Sequence, residues 1–442
     1  MIRNIAAGVV FGVAALIGNA RADTFTPAQR AKTLDDLAGF VEMAYVHKDV
    51  AKKTADEMRG WKNDPALLAA ADQASFASLL TDRLRKIDGH FNVAWGAPMG
   101  GPPTKPGTPA DAELDKRDAD SNYGFETVQR LPGNIGYIKL RFFDDFDTNL
   151  VGKKTPPARR TAESALQFVQ STDAVIFDIR NNGGGSPAMI DLLLAAFFGK
   201  KPVLLNRFYN RHYDNTTSFT TLANYTGVRR PNVPIYVLTN GATGSAAEEF
   251  AYDLQTQKRG LIVGETTYGG ANPGVDFDAG DGFSIFISTG MAINPITHTN
   301  WEGVGVKPDV AVPSAEALAR AETLALNTII ARGGDKTVAT EAQWTLDRMK
   351  AAQDGVTAKV PQDFVGSYGT RQITLDNGTL FYKRGMAPSE RLIPLGDDMF
   401  ALEAHPDQRM TFPRGPNGHV TALSITDTAG SVATSPASPP PG

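Results

Sequence analysis

The stretch Ala174-Val-Ile-Phe-Asp-Ile-Arg-Asn-Asn-Gly-Gly-Gly-Ser-Pro187 constrains the fold more than any other part of this chain. Its unbroken apolar run reads as a strand buried on both faces, and it ends in three glycines just ahead of a helical pattern. Glycines at that point let the backbone approach a ligand closely and aim successive N–H groups at one spot, which suits an oxyanion. A phosphate loop is disfavoured, because the stretch lacks the Gly-Lys-Ser/Thr ending and the G-x-G-x-x-G spacing. The bland alternative is a tight strand-to-helix turn. Asp178 and Arg180 are expected to pair or cap locally.

The same strand-to-helix rhythm runs from about Tyr123 to Pro313. Strands are predicted at 135–140, 174–179, 203–205, 235–238, 261–263 and 283–288, with helices at 158–169, 186–198 and 245–257. That alternation predicts an α/β layered core over residues 122–314. Before it, Leu34, Leu37, Ala38, Val41 and Tyr45 recur at helical spacing, so residues 23–95 read as a small helical domain. Residues 96–121 read as a Pro/Gly-rich linker. After the core come a helical connector at 315–360 and short strands within 361–430, two of them joined by an Asp376-Asn-Gly378 turn of hairpin type. These strands predict a small antiparallel β module. The Ser/Pro-rich tail, 431–442, is expected to be disordered.

At the front, Arg3, an apolar run from Ile5 to Ile17 and Ala20-Arg21-Ala22 read as a signal peptide over 1–22, the run being short for a membrane span. Its removal takes away Arg3 and Arg21 and no acid, which moves the formal charge from −4 to −6. A mildly acidic balance argues against nucleic acid as a partner. With 0 cysteines in 442 residues, thiol catalysis, disulfides and thiolate metal sites are all excluded. Nothing later in the chain is apolar for long enough to span a membrane. No cofactor and no metal is expected; Asp276, Asp278 and Asp281 form an acidic group that reads as a solvated loop rather than a calcium site.

Ser245 follows the run Pro-Ile-Tyr-Val-Leu238 and stands where a helix begins. Ser245 and Glu248 have the spacing of a capping box, so the pair explains itself as helix chemistry. The two readings are compatible, because a helix N-terminus also favours a developing anion. Thr243 occupies the first glycine's place in G-x-S-x-G, so the site is not a nucleophile elbow of that kind.

Four motifs in order, Asp178-Ile-Arg-Asn-Asn-Gly-Gly-Gly185, Ser245-Ala-Ala-Glu-Glu-Phe250, Gly264-Glu-Thr-Thr-Tyr-Gly269 and Glu302-Gly-Val-Gly-Val-Lys-Pro-Asp309, resemble the S41 serine peptidases. That group includes the tail-specific (C-terminal processing) proteases, the tricorn core and the interphotoreceptor retinoid-binding repeats. The resemblance implies a ClpP/crotonase-like layered β-α-β core, Ser245 as nucleophile, and an oxyanion hole made by the N–H of Ala246 with that of Gly183 or Gly184. The tail-specific branch places a lysine about 25 residues after the serine; here that position is Gly270, so the chain looks closer to the branch without it. In the tricorn-like branch a histidine and a glutamate support the serine, and Asp88-Gly89-His90 and Trp301-Glu302 match those segments. Gly89 stands where that pattern has a second serine. His298 is the spare candidate base.

What the resemblance implies is an exported endopeptidase, periplasmic or extracellular, that cuts peptides or unfolded protein through an acyl-enzyme. Its substrate strand would pair with a sheet edge near Gly183 to Gly185, and the chain could be oligomeric. The alternative is a ligand-binding module like the retinoid-binding repeats, with little or no catalysis.

Overall fold

A computed structural model describes residues 25–96, 109–146, 148, 154–396 and 398–438. The expected signal peptide and residues 97–108 of the expected linker lie outside them. The chain divides into two compact units, Met1–Pro102 with Gly274–Ser288, and Pro103–Pro273 with Thr289–Gly442.

In the first unit, Thr26 and Gln29 form a capping box that starts the helix Pro27–Ala44, and helices Lys48–Gly60 and Gln73–Leu84 follow. Leu34, Leu37, Val41, Met58, Phe76, Leu80 and Leu84 are buried. The unit is not purely helical. The strand Asn92–Trp95 pairs antiparallel with Phe283–Ser288, which pairs in turn with Gly274–Gly280. The expectation that 283–288 is a strand of the α/β core therefore needs correcting: its alternation of Phe283, Ile285 and Ile287 defines a strand but not a partner.

The second unit is built on a six-stranded sheet. Its order is Val310–Ala311, Leu261–Gly264, Ile235–Thr239, Ala174–Asp178, Ile135–Leu140, Phe125–Leu131. All neighbours are parallel except the last pair, an antiparallel hairpin. Every residue of Ala174–Asp178 and Ile235–Thr239 is buried, as their continuous apolar runs require. One face packs Phe177, Val237 and Ile262 against helices Pro157–Phe168, Pro187–Ala195 and Ala246–Thr256 through Ala162, Leu193 and Phe250. The other packs Ile176, Tyr236 and Val263 against Ala317–Arg332 and Lys336–Gln353. The expected helical connector is thus a layer of the core: its Ala317, Ala321, Ala325 and Ala342 are small enough for helices to lie close on the strands. A second sheet holds Gly290–Ile293, Leu204–Asn210 and Asn215–Thr220.

Pro109–Asp120 is helical, so the expected linker does not extend over it. The C-terminal module is an eight-strand meander, Gly366–Tyr368, Arg371–Asp376, Thr379–Arg384, Glu390–Gly396, Met399–Leu402, Gln408–Thr411, Ala422–Asp427 and Val432–Pro436. Asn377 and Gly378 both have positive φ, 47° and 80°, as the hairpin turn needs. The chain just beyond the last strand returns to the first, where Ser438 N–H donates to the Ser367 carbonyl at 2.8 Å. That corrects the expectation of disorder from Ser431. Val432–Pro436 closes the sheet around Phe364, Leu402, Met410 and Leu423, and burying that edge outweighs a disorder-prone composition.

Candidate active site

The nucleophile candidate sits at a strained point. Ser245 links the buried strand Ile235–Thr239 to the helix Ala246–Thr256 with φ 53° and ψ −125°, and it is exposed while Gly244 and Ala246 are buried. A serine held in that region costs on the order of 1–3 kcal/mol, so its surroundings must over-determine it. They do. The buried Thr243 hydroxyl donates to the Ile179 carbonyl at 2.9 Å, and Gly244 N–H donates to the Asn182 carbonyl at 2.9 Å. Both bonds tie the serine turn to the glycine-rich loop after Ala174–Asp178.

That loop lies directly against the serine. Gly184 has φ 112°, and a Cβ added to it would stand 2.7 Å from Ser245 Cβ and 3.0 Å from Ala246 N. The three-glycine signal thus marks a close approach to the serine. Asn182 is fully buried; its amide donates to the Leu140 carbonyl at 3.1 Å and its Oδ1 accepts Gly184 N–H at 2.9 Å. Gly184 N–H is therefore already engaged, whereas neither Gly183 N–H nor Ala246 N–H makes a hydrogen bond among the described residues. Gly184→Ala is expected to push the serine turn aside and lower the rate of Ser245 modification about 10²-fold, with the far-ultraviolet spectrum unchanged. Stopped-assay labelling at fixed probe concentration checks this.

Glu248 has a larger role than helix capping. Its side chain is buried and collects four donors: Oε2 takes Ser245 N–H at 2.9 Å and Gly270 N–H at 2.8 Å, while Oε1 takes Gly269 N–H at 2.6 Å and the Thr267 hydroxyl. Burial raises its pKa, and the four donors work against that rise. Glu302 carries the next two links, accepting Ala271 N–H at 2.8 Å and Asn272 N–H at 2.9 Å on one oxygen. Buried Trp301 donates its indole N–H to the Gly270 carbonyl at 3.2 Å. Two carboxylates thus hold four successive N–H groups of residues 269–272 and join that segment to the serine turn. Gly270, where the tail-specific pattern has lysine, is backbone in this lattice.

The local pairing of Asp178 and Arg180 is as expected, with Arg180 Nε donating to Oδ1 at 2.8 Å and Tyr137 donating to Oδ2 at 2.7 Å. His298 is exposed in the turn after Asn294, and Asp276, Asp278 and Asp281 are exposed on a hairpin of the first unit. His90 belongs to that first unit, 20 % exposed at its side chain, with Nδ1 2.9 Å from Asp88 Oδ1.

The layered parallel sheet, the glycine loop and the strained serine at a helix start coincide with a match of residues 134–312 to the model of peptidase family S41. Residues 134–312 belong to peptidase family S41. The S41 segment contains Ser245, Ala246, Gly183, Gly184, Glu248 and Glu302, while His90 lies before it. Carboxyl-terminal-processing peptidase 2, chloroplastic, of Arabidopsis thaliana is 32% identical over 196 residues, covering 42% of this chain and 34% of that protein. The carboxy-terminal-processing protease of Bartonella bacilliformis is 26% identical over 219 residues, 47% of each. A solved photosystem II D1 C-terminal processing protease aligns over 65% of this chain and 96% of its own, at 19% identity and a TM-score of 0.41. The chain spans only a third to a half of these two curated relatives, 34% and 47%.

The resemblance singled out Ser245, Ala246, Gly183 and Gly184, and the structure brings these four together. It missed Asn182, Thr243 and the wider reach of Glu248. Asn182 lies inside a quoted motif and Thr243 just ahead of another, and both were open to suspicion as polar residues flanking glycines. The Glu248 partners at 267–270 leave no local signal.

Proposed function

We propose that this chain is a serine peptidase that hydrolyses peptide bonds through an acyl-enzyme on Ser245. The observation that carries the reading is the strained, exposed Ser245 at a helix start, beside two unengaged backbone N–H groups, Ala246 and Gly183. In this reading Ser245 Oγ attacks the carbonyl carbon and its proton passes to His90. The tetrahedral oxyanion is held by Ala246 N–H and Gly183 N–H, and collapse expels the amine with the proton from His90. Water then attacks the ester, again losing a proton to His90, and releases the carboxylic acid and Ser245. Glu302 supports the site by holding the 271–272 backbone. Gly184 C=O and Ser186 N–H bond with Phe143, so the substrate strand is assigned to the opposite edge, offered by Gly183 and Gly185. The substrate is a peptide or unfolded protein, and the leader at 1–22 directs the chain out of the cytoplasm. No helix among the described residues is long and apolar enough to cross a membrane.

The test is covalent modification by a fluorophosphonate. Labelling is expected in the parent protein, lost in Ser245→Ala and reduced at least 10²-fold in His90→Ala. A parent protein that does not label, or a Ser245→Ala variant that does, overturns the peptidase reading and favours a ligand-binding module. Detection of the full leader on protein recovered from the cell envelope would overturn its removal.

A further inference from the structure

We propose that Asp88 is the positioning residue of the catalytic histidine: its carboxylate holds His90 with the proton on Nδ1 and the lone pair on Nε2. This inference rests on the reading of His90 as the base. Asp88 is 7% exposed and follows the helix Gln73–Leu84, with its N–H donating to the Leu84 carbonyl at 3.2 Å. One oxygen, Oδ1, accepts both the His90 backbone N–H at 2.8 Å and the ring Nδ1 at 2.9 Å. The backbone bond alone is an ordinary turn. The ring bond from the same buried oxygen goes further, because an ionised carboxylate only accepts and so requires Nδ1 to carry the hydrogen.

The neighbouring groups leave that geometry little freedom. Phe91 is buried, and its ring lies 5.0 Å from that of Tyr45, which also meets His47 edge-on. The Arg85 guanidinium turns elsewhere, with Nε on the Phe91 carbonyl and a terminal nitrogen on Asn92 Oδ1, both at 3.2 Å. Burial works to raise the Asp88 pKa, but the bonds from the His90 ring and backbone outweigh it and hold the carboxyl below its ordinary value. Asp88 is therefore ionised whenever His90 is needed as a base.

The experiment uses the full chain and the rate constant of fluorophosphonate modification as a function of pH, with Asp88→Asn, Asp88→Glu and the parent protein. Asp88→Asn is expected to fold, to react at least 10²-fold more slowly at pH 7.5, and to move the midpoint of the acidic limb down by about one unit, because the ring loses the anion that favours its charged form. Asp88→Glu is expected to recover part of the rate. A folded Asp88→Asn that reacts within threefold of the parent, with an unmoved midpoint, overturns the proposal. If Asp88→Asn does not fold, Asp88→Ala replaces it: a parent-like rate and midpoint overturn the proposal, and a lowered rate and midpoint support it. The His90 ring resonance, assigned by its loss in His90→Ala and titrated by NMR, separates this inference from its parent. Should the parent protein fail to label, a His90 midpoint that falls in Asp88→Asn still supports the positioning role, and an unmoved one overturns it.

Discussion

Replacing Glu248 by alanine is expected to lower stability by about 4 kcal/mol and to abolish modification of Ser245. The carboxylate takes two donors on each oxygen, and truncation leaves the N–H groups of Ser245, Gly269 and Gly270 and the Thr267 hydroxyl without that acceptor. A buried donor left unsatisfied costs roughly 1–3 kcal/mol, and water entering the hole recovers only part of it. The serine turn loses the bond on its own N–H, so Ser245 is free to leave its positive-φ geometry. Glu248→Gln separates the two effects. Its single carbonyl oxygen serves one pair of donors, while its NH2 must face at least one backbone N–H, so about 1–3 kcal/mol is lost with the volume kept. Chemical unfolding gives the stability change and fluorophosphonate labelling gives the rest. A Glu248→Ala protein that unfolds at the parent midpoint and labels normally would show that the carboxylate does not hold the turn.

The second large effect is a dependence of stability on pH that comes from the core behind the site. Asp191 on the helix Pro187–Ala195 and Glu249 and Asp253 on the helix Ala246–Thr256 titrate against one another. The groups that meet them are neutral amides: Asn206 donates to Glu249 at 3.2 Å and Asn294 approaches Asp253 at 3.5 Å. Asp253 Oδ2 is buried without a partner. Burial, with Glu249 as a like-charged neighbour, pushes Asp191 up to about 8; burial pushes Glu249 up to about 7 and Asp253 well above the usual carboxylate range. These groups bind more protons folded than unfolded between about pH 4 and pH 8, so their contribution is full below pH 4 and is lost as pH rises through 7–8. Each proton of difference is worth about 1.4 kcal/mol per pH unit. A fall of at least about 3 kcal/mol is expected between pH 5 and pH 8.5. Glu249→Gln should flatten that slope by roughly half, since the amide keeps the volume and removes the charge. Unfolding midpoints across that range read it directly. A parent protein equally stable at both ends, or a Glu249→Gln slope like the parent's, would rule the cluster out as the cause.

Much of the site was legible because its signals are local. An apolar run ending in Asn-Asn-Gly-Gly-Gly is a buried strand entering a close approach, and the structure places Gly184 against Ser245. A serine before Ala-Ala-Glu-Glu is a helix start, and a helix start is also where an anion is best received. The glutamate three residues on was equally visible as a cap, but its other partners lie 19 to 22 positions away, on a segment whose own residues say nothing of a carboxylate. Gly270 read as an absence, a lysine not there, and proved to be a backbone donor and acceptor in the lattice that Glu248 and Trp301 complete.

Periodicity, punctuation and composition by themselves determined the parallel layered core and the hairpin at Asp376–Gly378, since each depends on a few adjacent residues, whereas Ser245, Ala246, Gly183 and Gly184 were pointed to only by the ordered motifs that resemble a known family. Tertiary structure alone decided that Phe283–Ser288 pairs with Asn92–Trp95, that Val432–Pro436 closes the C-terminal meander, that Gly184 N–H is taken by Asn182, and that Asp88 faces the His90 ring. The physical reason is common to all four. A backbone or carboxylate group must find a partner when buried, and which partner it finds depends on what the fold brings within 3 Å, not on what stands beside it in the chain.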